Sequence, residues 1–103
     1  MKFETCRSIP AEHLSLPGHF PGAPIVPAVV VLDEIGAAIA EWQPEVEITG
    51  IAMAKFLAPL RPGETFAIEL EAQTEAAGHV DVTCRMDDRI LVQGRLLIRR
   101  RPS

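Results

Sequence analysis

The stretch Gly18-His19-Phe20-Pro21-Gly22-Ala23-Pro24-Ile25-Val26-Pro27 runs without a break into an apolar segment, residues 28–40, and the junction decides the fold. Each proline fixes φ and removes an amide donor, and each glycine admits turns closed to other residues, so the stretch is a stiff loop and not a helix. Such a loop holds His19 in one place. Past Pro27 the pattern changes. Leu32, Ile35, Gly36, Ile39 and Trp42 recur at helical spacing, Glu34 and Glu41 mark the other side, and Pro44 stops the run, so residues 29–42 read as one helix. The β-branched run Val29-Val30-Val31 is poor helix material, so burial must hold the first turn.

Working outward, residues 2–9 read as a short strand, and the five prolines and two glycines between residues 10 and 27 keep that segment irregular. Beyond Pro44 the chain reads as antiparallel sheet. Residues 47–60 form a long strand candidate, and Pro62-Gly63 is a turn signal. Phe66, Ile68, Leu70 and Ala72 alternate with Ala67, Glu69, Glu71 and Gln73. After a turn at Ala76-Ala77-Gly78, Val80, Val82, Cys84 and Met86 alternate with Asp81, Thr83 and Arg85. Asp87-Asp88 turns the chain once more, into Ile90, Val92, Gly94, Leu96 and Ile98. Period-two alternation of this kind marks strands with one wet face. Strand, helix, then four strands is an α+β order, a sheet wrapped around one central helix.

The 103 residues make one domain, residues 1–103, with 48% hydrophobic and 23% charged residues. A domain this small buries proportionally little surface, which an oligomer would remedy. The net charge of -4 argues against nucleic-acid binding. No apolar run is long enough to cross a membrane, and Met1-Lys2-Phe3-Glu4-Thr5 lacks a signal-peptide core, so the expected location is the cytoplasm. Cys6 and Cys84 have no zinc spacing and are expected to be buried or half-buried thiols.

Two side chains stand out chemically. Asp33 shares a helix face with Gly36, Ala37 and Ala40, a small apolar face expected to be packed, whereas Glu34 lines up with Ala38 and Glu41. A carboxylate on packed surface costs free energy unless it has a partner or a task. The competing reading makes Asp33 a helix-start residue interacting with the positive end of the dipole. His19 can exchange a proton near neutral pH; its rivals His13 and His79 stand in polar or turn contexts that suit surface residues. No third ligand stands near His19 for a zinc site, and Ser8 and Ser15 lie in no nucleophile-elbow sequence.

The segment from His19 to Asp33, His-Phe-Pro-Gly-Ala-Pro-Ile-Val-Pro-Ala-Val-Val-Val-Leu-Asp, resembles the signature of the hot-dog-fold 3-hydroxyacyl-acyl-carrier-protein dehydratases of the FabA/FabZ type. Lys55-Phe56-Leu57-Ala58-Pro59-Leu60-Arg61-Pro62-Gly63-Glu64 resembles the second signature, and the short chain looks closest to the compact dehydratases of aryl-polyene pathways. The resemblance implies His19 and Asp33 as catalytic base and acid. It implies Phe20, Gly22, Ile25, Pro27, Ala28 and Val29 around the substrate, with the Ala28 amide polarising the thioester carbonyl. Ala28 stands where the family usually has glycine, and Ala23 where it often has His or Asp. The resemblance further implies no metal or cofactor, an acyl carrier protein delivering a phosphopantetheine-linked chain, and a homodimer or dimer-based oligomer in which His19 of one subunit faces Asp33 of the other. Arg61, Arg95 and the run Arg99-Arg100-Arg101 are candidates for carrier docking, the run being a solvated tail otherwise. A hot-dog acyl thioesterase and a non-catalytic carrier-protein-binding subunit share the fold and are the rival functions.

Overall fold

The computed structural model describes residues 1–10, 25–72 and 78–102. Strand β1 (Lys2–Ser8) comes first and helix α1 (Ala28–Trp42) follows. Then come β2 (Val46–Phe56), β3 (Thr65–Glu71), β4 (His79–Met86) and β5 (Arg89–Arg100). The five described strands form one sheet in the order β1-β3-β4-β5-β2, every neighbouring pair antiparallel. With α1 laid on one face, this is the expected single hot-dog unit.

Each turn has a local cause. Asp87-Asp88 joins β4 to β5 with Met86 opposite Arg89, and Asp87 takes φ 55°. Gly63 sits at φ 86°, as the Pro62-Gly63 signal requires. The Arg61 amide donates to the Glu64 carboxylate at 2.8 Å and the Gly63 amide donates to the Ile9 carbonyl at 2.9 Å, which ties this turn to the end of β1. Gly94 is needed for a different reason: a Cβ there would stand 3.1 Å from the Met53 carbonyl oxygen of β2.

The core lies between α1 and the inner sheet face. Phe66, Ile68 and Leu70 of β3 and Val80, Val82 and Cys84 of β4 point inward, and α1 contributes Val31, Ile35, Ala38 and Ile39. On the other edge, Phe3 of β1 stacks on Trp42 with ring centroids 6.0 Å apart, and Arg7 pairs with Glu41 and Glu34 of α1. The outer face carries a ladder of half-exposed ion pairs, among them Arg85–Glu69 at 3.0 Å and Arg95–Asp81 at 2.8 Å.

Three expectations are corrected. Strand β2 ends at Phe56, and residues 57–60 are irregular instead of continuing it, with Leu60 the buried one among them. Cys6 is exposed on the outer face, because β1 points Phe3, Thr5 and Arg7 at the helix and alternation sends Cys6 the other way. Asp33 is exposed rather than packed. At about 100° per residue it lies nearly opposite the buried Val31–Ile35–Ala38–Ile39 stripe. The helix-dipole reading fails too, because α1 begins at Ala28 and no acidic residue falls in its first turn.

Candidate active site

One apolar cavity of about 470 Å³ opens beside the start of α1. Its walls come from both signature segments. Ile25, Val26, Pro27 and Ala28 line it from the first, with Val31 just inside the helix, and residues 56–60 line it from the second. Phe66, Cys84, Leu91 and Val92 of the sheet complete it. Ile25, Phe56 and Leu57 are 44–55% exposed and mark the mouth, whereas Phe66, Cys84 and Leu91 are at most 1% exposed and mark the inner end.

Backbone bonds set this shape. The Val26 amide donates to the Leu60 carbonyl at 2.8 Å, and the Leu57 amide donates to the Leu91 carbonyl at 2.8 Å. Pro27 caps α1 with no side-chain bond, and its carbonyl accepts from Val30 at 3.0 Å and from Val31 at 3.3 Å. The two amides just before these, of Ala28 and Val29, have no backbone acceptor among the described residues. Ala28 lines the cavity, so the helix start brings to its wall the positive end of the dipole and a donor without an acceptor among the described residues.

Of the site residues expected from sequence, Ile25, Pro27 and Ala28 line the cavity. Val29 does not and is 63% exposed. Asp33 does not line it either; with Val29, Ala37 and Ala40 it forms an uncovered flank of the helix. His19, Phe20 and Gly22 lie outside the described residues, as do Ala23, His13 and the Ala76-Ala77 turn. Phe66, Cys84, Leu91 and Val92 were missed from the sequence as cavity residues. Alternation shows that Phe66, Cys84 and Val92 face inward but not that a space adjoins them, and it misses Leu91, which is buried next to Val92 where the pairing of β4 with β5 shifts register. Residues 56–60 of the second signature form a wall that their sequence alone does not reveal.

Among the docking candidates, Arg95 is engaged by Asp81 and Arg99 by Glu47 on the outer sheet face. The hydrogen bond from Arg95 holds the Asp81 carboxyl below its ordinary value. Arg101 donates from its Nε to the Val46 carbonyl at 3.3 Å and from its amide to the Glu45 carbonyl at 2.8 Å, so it is anchored and not a loose tail. Arg61 directly follows the wall residue Leu60.

The family model described as ApeI-like, ApeI dehydratase, matches residues 2–95. The chain belongs to the ApeI-like dehydratase family. It is 31% identical over 90 residues to a 3-hydroxyacyl-acyl-carrier-protein dehydratase FabZ of Herpetosiphon aurantiacus, a match covering 78% of this chain and 64% of that protein. A FabZ of Chloroflexus aggregans is 34% identical, with 78% of this chain and 62% of that protein covered. The chain thus spans a little under two thirds of the length of these curated relatives. Among solved structures, the dehydratase heterocomplex ApeI:P from Xenorhabdus doucetiae is similar with TM-score 0.82 and 23% identity, covering 96% of this chain and 88% of that one. That likeness shows the hot-dog fold of the ApeI-like chain. Among the described residues no helix is long and apolar enough to cross a membrane.

Proposed function

We propose that this ApeI-like protein dehydrates 3-hydroxyacyl thioesters, carried on an acyl carrier protein, to trans-2-enoyl thioesters. The observation that carries the reading is the Ala28 amide, free among the described residues, at the wall of an apolar cavity built by both signatures. An acyl chain fits such a cavity, and an enolate-like thioester oxygen forming at its wall would accept from that amide. The family membership and the FabZ relatives support the same chemistry. In this reading His19 removes a proton from Cα and Asp33 gives a proton to the departing hydroxyl. The Cα–H and C3–O bonds break, the C2–C3 double bond forms, and water leaves. Every bond change is served by an acid, a base and a polarising donor, so the reading requires no cofactor. The acyl-carrier-protein dehydratase activity named for the FabZ relatives supports the carrier protein as partner, and a cytoplasmic setting is part of the same reading.

The reading also needs a second chain. Asp33 stands on an uncovered flank with Val29, Ala37 and Ala40, and on edge strand β2 Ile48, which lies against Gly36 of the helix, and Ile51 are 41% and 53% exposed although their strand partners Ile98 and Leu96 are buried. A protomer pairing through this face would cover the apolar surface and place another chain's groups against Asp33. A homodimer is the simplest such assembly, and a two-fold interface gives two shared sites.

Incubation with 3-hydroxyacyl-carrier-protein substrates, read by mass, tests the reading. Loss of water with the thioester intact supports it. Release of free thiol would instead assign a thioesterase, and no change would assign a binding subunit.

A further inference from the structure

Fourteen of the described residues line the cavity, and thirteen of these have hydrocarbon side chains; the exception among them is Cys84. Its position is central. Cys84 lies opposite Ile68 of β3 and Val92 of β5, in the middle of the inner sheet face, and is 0% exposed. Phe66, 1% exposed, stands beside it on β3. The exposed lining residues are all contributed by the segments around α1 and the end of β2, so Cys84 lies at the end away from the mouth.

We infer that Cys84 closes the inner end of this cavity and sets how far an acyl chain reaches, and that the chain it admits is apolar throughout its buried length. The inference deepens the dehydratase reading and rests on it for the identity of the occupant. The physical argument has two parts. Cys84 is the smallest of the three side chains at the inner end, between Phe66 and Leu91, and the reach there is sensitive to a single heavy atom on it, because close-packed walls do not relax into the space. At the inner end a terminal carboxylate or hydroxyl would meet, among the described residues, hydrocarbon and one weak thiol donor, and burying it unpaired is costly. Burial, with the Glu69 charge adding to it, raises the Cys84 thiol to about 12, so it stays neutral and offers no charge to a polar chain end.

The test titrates S-alkyl pantetheine thioethers of rising chain length against the full chain and its Cys84→Ala and Cys84→Val variants. Turnover of matching 3-hydroxyacyl pantetheine thioesters is read in parallel, and Thr83→Ala, on the outer face of β4, is the control. Cys84→Ala should improve binding of the next longer chain relative to the wild-type optimum by about fourfold, the worth of one buried methylene. Cys84→Val should move the optimum shorter by a similar factor, and it fills the core should the alanine variant unfold. A thioether ending in a carboxylate should bind at least about tenfold more weakly than its methyl-ended counterpart. An optimum that stays put in folded Cys84 variants, or equal binding of the carboxylate-ended ligand, overturns the inference. A shifted binding optimum without water loss in any protein keeps Cys84 as the floor and overturns the dehydratase reading alone.

Discussion

The backbone amide of Val26 donates to the carbonyl of Leu60 at 2.8 Å, and this one bond joins the two signature segments across 34 residues of sequence. Val26 is the second residue before the start of α1, and Leu60 ends the stretch that leaves β2. Both are buried and both line the cavity. The separation in sequence hides a single wall in space.

The first prediction concerns Asp33. It is exposed in the protomer, so Asp33→Asn should fold with a melting temperature close to that of the parent, while dehydration falls by about 10² to 10⁴. His19→Ala should lose activity likewise, with His79→Ala as the unaffected control. Refolding an equal mixture of His19→Ala and Asp33→Ala should restore about a quarter of wild-type activity, because half the dimers are mixed and each holds one intact site. A mixture that stays inactive while mixed dimers are shown to form would place both groups in one chain.

Gly94 gives a second prediction. A Cβ there would press on the Met53 carbonyl at 3.1 Å, and a strand backbone yields little. Gly94→Ala should destabilise by about 1–3 kcal/mol in denaturant unfolding by pushing β2 away from β5. It should also weaken self-association, because β2 carries the proposed interface; light scattering at micromolar concentration reads this directly.

The third prediction is a pH effect with its sign set by Asp81. The folded carboxyl, bonded to Arg95, titrates below its usual 3.8. A depressed folded pKa contributes stability above the unfolded value, and that stability is lost as pH falls through the folded one. Arg95→Ala should therefore lower the melting temperature at pH 7 and make no difference once pH is well below 3.8. An equal drop at both ends would mean that the pair acts through packing alone.

Thiol chemistry supplies the fourth. Cys6 is exposed and Cys84 buried, with its thiol raised from 9.0 to about 12. A water-soluble disulfide reagent at pH 8 should titrate one thiol per native chain and two per denatured chain. The same shift makes stability fall as pH rises from about 9 toward 12, since only the unfolded thiol ionises there. Cys84→Val should flatten that alkaline decline, and an unchanged slope would tie it to other groups.

Much of the fold was legible locally. Alternation named the inward residues of β3 and β4 and, from Val92 onward, of β5, whose buried Leu91 a register shift hid; Pro62-Gly63 and Asp87-Asp88 named their turns, and Pro44 marked where α1 stops. Each of these is a short-range consequence of side-chain period or backbone freedom, which a single chain segment expresses by itself. The two signatures likewise identified the family from residues alone.

The helix face was different. The sequence showed that Asp33 shares a flank with Ala37 and Ala40, and small apolar neighbours suggested packing. Periodicity determines which residues stand together but not which side the sheet covers. That choice was made by Val31, Ile35, Ala38 and Ile39 docking on the inner sheet face, because their bulkier surface gains more from burial. It left Asp33 on the opposite side, free for another chain. The cavity was decided at the same level. Val26 and Leu60, Leu57 and Leu91 meet through backbone bonds between distant segments, and the space they enclose around Cys84 exists only once α1, the end of β2 and the sheet are held together.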